Sequence, residues 1–230
     1  MFSRTGKAVT RLVLASGSPR RRELLQLLGL PFQVVVPETV ETTVQCSDAA
    51  TQASVLAEMK ALSVARHGHE EIIVAADTLV VLRDQVIGKP QDPGSARDTL
   101  VALRRGEHQV VTGLAVILPG ALTPLLQTVE TRVWMRQYGD EEIASYIDRG
   151  EPFDKAGAYA IQDPEFDPVE RVEGCYSNVM GLPLCHLFTT LRDAASLHSP
   201  PPIAACEDHT GRRCFVAGRI LQAVSHGLCL

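Results

Sequence analysis

The sequence predicts an α/β protein, a sheet flanked by helices. Three observations carry that expectation. Short runs of β-branched residues alternate with stretches of helical apolar spacing. Each change from one to the other is marked by Gly, Pro or a capping side chain. The chain has 230 residues, 45% hydrophobic and 21% charged, and a chain of that size buries roughly 70% of its unfolded surface in a compact unit of one or two lobes.

Arg11 to Ser16 reads as a buried strand, followed by a loop at Gly17 and Ser18. Pro19 opens a helix whose Leu24, Leu25, Leu27 and Leu28 line one face before Gly29 stops it. Phe32 to Val36 is a second strand. Ser47 or Asp48 caps a longer helix that ends near Gly68, and Val55, Leu56, Met59 and Leu62 give it an apolar face. Ile72 to Leu82 is a long buried strand, turned at Arg83 to Gln85 into a short return strand that reaches Gly88. A helix from Asp92 to Arg105, closed by Gly106, precedes strands at 109–118 and 126–135 that a Pro/Gly loop joins into a hairpin. Gly139 to Arg149 is a short amphipathic helix with Asp140 as its cap. The polar loop Glu151 to Lys155 leads into small, irregular chain, a strand near Val169 to Val172 and a helix from about Leu184 to Ala195. Residues 1–10 therefore read as an N-terminal tail, 11–195 as the folded domain, and 196–230, with its run Pro200 to Pro202, as a C-terminal extension.

Lys and Arg number 22 against 27 Asp and Glu, a net charge of −5. Such a surface disfavours nucleic-acid polymers, and any phosphate recognition has to come from a local basic cluster. No apolar run approaches the ~18 residues of a membrane helix. The apolar stretch Leu12 to Ala15 is too short for a signal-peptide core, so no membrane partner is expected and the chain is expected to be cytoplasmic. Six cysteines without a CxxC pair fit reduced thiols rather than a disulfide framework or a structural zinc.

Three stretches carry chemistry. In Ser16-Gly17-Ser18-Pro19-Arg20-Arg21-Arg22 a strand delivers a small-residue loop to a helix N-terminus, where free N–H groups and the helix dipole favour an anion. Cations in a first turn oppose that dipole by roughly 0.3–1 kcal/mol each, so three arginines there ask for an anionic partner. A capped helix with a solvated basic turn is the plainer alternative. Asp77 interrupts an otherwise apolar strand, and a buried carboxylate is costly unless it is paired, hydrogen-bonded or metal-bound. Lys89 follows closely enough to share its cleft, although a lone surface lysine would read the same. In the third stretch, Glu151 to Gln162, charged residues run into Ala/Gly-rich chain, which suits close approach of the backbone to a ligand. A turn closed by a salt bridge is the alternative there.

Together these stretches resemble the Maf nucleoside triphosphate pyrophosphatases. The family's Ser-x-Ser-Pro-Arg-Arg stands at Ser16 to Arg21, its Ala-Asp-Thr at Ala76 to Thr78, and its Lys-Pro at Lys89-Pro90. Its Asp-Lys-Ala-Gly-x-Tyr-x-Ile-Gln stands at Asp154 to Gln162, and its Val-x-Gly-Leu-Pro at Val179 to Pro183. The resemblance implies a Maf/inosine-triphosphatase-like fold, an elongated mixed sheet flanked by helices with two lobes around a cleft, commonly dimeric.

The implied reaction is hydrolysis of a nucleoside triphosphate between the α and β phosphates, with a divalent cation such as Mg or Mn. Asp77 would accept the proton of the attacking water, with Glu41 as its metal or water partner. Lys60 and Lys89 would neutralise the leaving pyrophosphate. Ser16, Ser18, Arg20 and Arg21 would cradle phosphate beside Asp154 and Lys155, and Arg20, Thr78 and Gln162 would set the base. That set matches the family's dTTP/UTP branch. A methylated-GTP pyrophosphatase of the sister branch and a nucleotide-binding regulator of septum formation are the alternatives. One departure bears on the base pocket. Asp163 and Pro164 follow Gln162 where the family has Gly, and an added carboxylate there would alter selectivity. A second is the extension, whose Cys206, His209, Cys214, His226 and Cys229 lack zinc-ligand spacing.

Overall fold

A computed structural model describes residues 11–38, 44, 46–65, 69–195 and 199–223. One mixed sheet is built from β1 (Leu12–Ala15), β2 (Phe32–Val35), β3 (Ile72–Leu82), β4 (Gln85–Ile87), β5 (Glu107–Ile117), β6 (Leu125–Met135) and β7 (Val169–Glu173). The strand order is β2-β1-β3-β5-β6-β7, with β4 also paired to β3. β1 runs parallel to both β2 and β3, as strands joined by helical crossovers must. Those crossovers are α1 (Pro19–Gln26) and α2 (Ala49–Val64). Every other pairing is antiparallel.

The long strand is continuous over Ile72–Leu82, and it turns into β4 through Arg83 and Asp84, both in the left-handed region at φ 51° and 63°. Two such residues make the tight turn that matches strand twist. α1 starts at Pro19 and is followed by Gly29 at φ 66°. α3 (Pro93–Leu103) is capped by Asp92 and Ser95 reciprocally. The remaining helices are α4 (Asp140–Asp148), α5 (Tyr176–Val179), α6 (Leu184–Ala195), α7 (Ile203–Thr210) and α8 (Ala217–Gln222), with two 3-10 turns at Glu151–Asp154 and Ala156–Ala158. Among the described residues no helix is long and apolar enough to cross a membrane.

Side-chain alternation along β3 divides the core. Ile72, Val74, Ala76 and Val80 face a large cluster with Leu24 and Leu25 of α1, Leu100 of α3, Ile143 of α4 and Leu187 of α6. Ile73, Ala75, Leu79 and Val81 face α2 instead.

Two expectations need correction. The buried face of α2 is Ala53, Ala57 and Ala61, while Leu62 is 42% exposed. The helix lies so close to the sheet that only methyl side chains fit between, and the larger Leu56 and Met59 face the cleft. Asp140 does not cap α4. The cap is the Gly139 N–H donating to Glu142 (2.7 Å), while Asp140 pairs with Arg97 (2.9 Å) and Arg104 (3.0 Å). The extension, in which the sequence predicts no element, carries the two helices α7 and α8. Cys206 of α7 is only 8% exposed and joins the main core. Arg192 of α6 donates to the Leu221 carbonyl (3.2 Å), and Ser199 Oγ donates to the Leu28 carbonyl (2.8 Å).

Candidate active site

The site forms where one edge of β3 is left open. β5 runs along one edge from Ile73 to Val81. The other edge is taken by β1 from Ile72 to Ala75 and by β4 from Val80 to Leu82. Residues 76–79 lie between, so the backbone of β3 and the ends of β1 and β4 frame a cleft. A cavity of about 750 Å³ opens there, within the range for small-molecule sites.

Asp77 and Thr78 are adjacent on this open stretch, so their side chains leave opposite faces of the strand. Asp77 is 9% exposed and forms an ion pair with Lys60 of α2. The Asp77 carboxylate thus has the partner that its burial requires. Thr78 Oγ1 lies 2.9 Å from Thr112 Oγ1 on β5 and accepts from Arg21 Nη2 at 3.1 Å.

The loop leaving β1 brings the second half of the site. Ser18 caps α1, and its own N–H donates to Ser16 Oγ at 3.2 Å. This directs the N-terminus of α1 into the cleft, where its free N–H groups favour an anion.

The three arginines divide. Arg20 reaches across to Asp154 at 3.0 Å. Arg21 is half-buried and bonds through all three of its side-chain nitrogens, its Nε also donating to the Gly181 carbonyl (2.8 Å) and its Nη1 to Ser16 Oγ (3.4 Å). Burial lowers its pKa, the Asp77 charge works against that shift, and Arg20 adds to it. Arg22 is exposed.

Lys155 is buried, and its three N–H groups are taken by the Glu151 carbonyl, Glu151 Oε2 (3.1 Å) and Asp154 Oδ1 (2.6 Å). It therefore fixes the 3-10 turn that presents Asp154. Partial burial alone would raise the Asp154 carboxyl, but Lys155 and Arg20 outweigh it and hold the group below its ordinary value. Lys89 lies exposed at the mouth just beyond β4, and Gln162 sits exposed on the rim.

Ser16, Ser18, Arg20, Arg21, Lys60, Asp77, Thr78, Lys89, Asp154, Lys155 and Gln162 all line this one cavity. Glu41 lies outside the described residues. Asp163 does not reach the cavity. Its carboxylate turns away to accept from Arg149 (2.8 Å) and from the N–H groups of Glu165 (3.1 Å) and Phe166 (2.7 Å). Burial raises that carboxyl, Arg149 and the two N–H groups more than offset the effect, and it too lies below its ordinary value.

Gln52 on α2 and Gln91 after Lys89 also line the cavity without having been singled out. Gln52, Leu56 and Lys60 recur every fourth residue, a stripe that Lys60 could have revealed. Among the described residues, no three His, Cys, Asp or Glu side chains stand close enough to form a metal cluster. Two carboxylates line the cavity among the described residues, Asp77 and Asp154; Asp154 is shared between Arg20 and Lys155, and Asp77 fits a hard cation that takes its remaining ligands from phosphates and water.

The Maf-like protein family model matches residues 11–194, so the C-terminal extension falls outside it. A dTTP/UTP pyrophosphatase of Caldanaerobacter subterraneus subsp. tengcongensis is 45% identical over 183 residues, covering 79% of this chain and 88% of that protein. Proteins of the same name from Thermomicrobium roseum and Geotalea uraniireducens are 45% and 42% identical, over 83% and 81% of this chain and 87% and 96% of theirs. Among solved structures, a HAM1 protein from Coxiella burnetii aligns with a TM-score of 0.39 at 18% identity, covering 56% of this chain and 74% of that one. By the family match and by its identity to these relatives, the chain belongs to the Maf-like proteins.

Proposed function

We propose that this protein is a nucleoside triphosphate pyrophosphatase that hydrolyses dTTP and UTP to the monophosphate and pyrophosphate. The observation that carries the reading is the Asp77–Lys60 pair in a cation-lined cavity at the mouth of α1. Relatives of 42–45% identity named dTTP/UTP pyrophosphatase support it.

The residues suit the chemistry. Lys60 holds Asp77 in place by the ion pair, and the Asp77 carboxylate can take a proton from a water placed on the α2 side of the strand. The water oxygen bonds to the α phosphorus, the α–β bridging bond breaks, and the bridging electrons leave with pyrophosphate. Arg20, Lys89 and the N–H groups of α1 meet the developing negative charge, which is where catalysis of phosphoryl transfer mainly resides. Arg21, held by Gly181, Ser16 and Thr78, keeps that cradle in register. Asp77, with Glu41 as the resemblance implies, would hold a divalent cation. Held there, such an ion would supply Lewis-acid stabilisation of the phosphate charge.

Gln162 is assigned to the base. Its amide both donates and accepts, matching the carbonyl–N–H–carbonyl edge of uracil and thymine. Because Asp163 is turned onto Arg149, it does not compete for that edge. Pyrophosphate release from dTTP, UTP, CTP, GTP and methylated GTP tests the reading. dTTP and UTP should exceed the purine nucleotides by one to two orders of magnitude in kcat/KM, as about 1–3 kcal/mol for an unpaired amide allows. Methylated GTP as the best substrate would overturn the base assignment. A homodimer, implied by the family resemblance, is part of the proposal and is checked by light scattering.

A further inference from the structure

We infer that the cavity between β7 and the C-terminal extension is a second ligand site, suited to a nucleoside phosphate. Its volume is about 740 Å³, nearly that of the catalytic cavity at about 750 Å³. Its charge balance is the same as well. Five arginines line it, Arg132, Arg171, Arg212, Arg213 and Arg219, against two carboxylates, Glu170 and Glu173. The catalytic cavity, among described residues, likewise has five cations and two carboxylates.

In a chain of net charge −5, gathering guanidinium groups around one hollow is unfavourable unless an anion joins them. Glu173 neutralises part of the cluster by pairing with both Arg132 and Arg171. Arg213 and Arg219 have no carboxylate partner among the described residues, and both are exposed and available. Guanidinium groups of this kind grip phosphate oxygens in pairs.

The remainder of the lining points to a planar group on the ligand. Phe215, 83% exposed, stands beside Arg213 with the guanidinium 5.9 Å from its ring centre. An exposed ring next to a phosphate-binding cation is a stacking platform for a nucleobase. The depth of the cavity is apolar and soft, walled by Ile203, Ile220 and the buried thiols Cys175, Cys185 and Cys206. Arg212, Arg213, Phe215 and Arg219 all come from the extension, outside the family match, so this site is distinct from the proposed catalytic one.

The chain supplies its own reporter. Its single tryptophan, Trp134, lies under Arg171, whose guanidinium is 3.6 Å from the ring centre. A ligand drawn to Arg171 changes the surroundings of that ring.

The experiment titrates the full chain with dTMP, pyrophosphate and inorganic phosphate while following Trp134 fluorescence. dTMP should give a saturable change, weakened roughly tenfold or more in Arg213→Ala/Arg219→Ala, the scale of losing charge-assisted bonds. Phe215→Ala should weaken dTMP and leave pyrophosphate unaffected. Both variants should turn over dTTP like the parent, since none of the three residues touches the catalytic cavity. A parent without a saturable response, or variants that respond like the parent, would overturn the site. Inorganic phosphate or pyrophosphate binding as tightly as dTMP would overturn the nucleoside assignment.

Discussion

Gly113 of β5 lies so close beneath Ala53 of α2 that a Cβ at position 113 would stand 2.2 Å from the Ala53 carbonyl oxygen. Gly113 is also the register partner of Asp77, and Lys60 is about two turns along α2 from Ala53. The missing side chain therefore lets α2 descend until Lys60 meets Asp77. Gly113→Ala is expected to lift the helix, with a stability cost of about 1–3 kcal/mol or more and a loss of kcat above roughly tenfold. In a Lys60→Ala background the same change should still lower Tm but reduce kcat by less than about twofold, because the interaction it disturbs is already gone. Fully additive losses in kcat would separate Gly113 from the ion pair.

The neighbouring arginines should behave differently. Arg20→Ala is expected to lower kcat/KM by roughly 10²-fold with little change in Tm, as a lost phosphate contact. Arg21→Ala removes the donor to Gly181, Ser16 and Thr78, so it should lower Tm as well as activity. Thermal melts and steady-state kinetics on the two variants distinguish them, and matching profiles would contradict the division of roles.

What the sequence revealed follows from where local chemistry decides. The strand around Asp77, the loop from Ser16 to Arg21 and the run Asp154 to Gln162 carry side chains whose cost demands an explanation, and all three meet at one cavity. The α2 helix misled because hydrophobic size suggested Val55, Leu56, Met59 and Leu62 as its inner face, whereas close approach at Gly113 selects alanines. That approach is a relation between distant segments and leaves no periodic signal. The direction of Asp163 depended on Arg149, fourteen residues away in sequence. The helices α7 and α8 are short, and docking on α6 and the main core accounts for them better than helix propensity does.

His108 gives the stability a pH window. It is buried, its Nε2 sits 2.8 Å from Tyr159 Oη, and its Nδ1 has no hydrogen-bond partner among the described residues. Burial pushes its pKa down from 6.5 to about 4. The folded protein keeps this ring neutral while the unfolded chain takes up a proton below about 6.5, so stability is whole above that pH and falls as pH drops towards 4. The loss from this group reaches about 3 kcal/mol. His186, lowered to about 4 by burial, adds in the same direction. Urea midpoints at pH 7.5 and 4.5 should differ, and His108→Gln should narrow the difference. A flat profile in the parent would contradict this.

Deleting residues 196–230 is expected to preserve the chemistry and weaken the fold. Among the described residues no catalytic-cavity residue lies there, but the deletion uncovers the core surface that Cys206, Ala217 and Leu221 cover. A lower Tm and poorer solubility should accompany retained kcat in the folded fraction. A truncated protein that is folded by circular dichroism and inactive would place part of the machinery in the extension.

The central claim is that Asp77, held by Lys60, activates water for attack at the α phosphorus. The most direct measurement is the product balance and rate of dTTP hydrolysis by the parent and by Asp77→Asn. The parent should release pyrophosphate and dTMP in equal amounts. The variant, isosteric but unable to take the proton, should bind dTTP and turn it over about 10³-fold more slowly or worse. Orthophosphate as the product, or a variant within about tenfold of the parent, the equivalent of only ~1.4 kcal/mol, would contradict it.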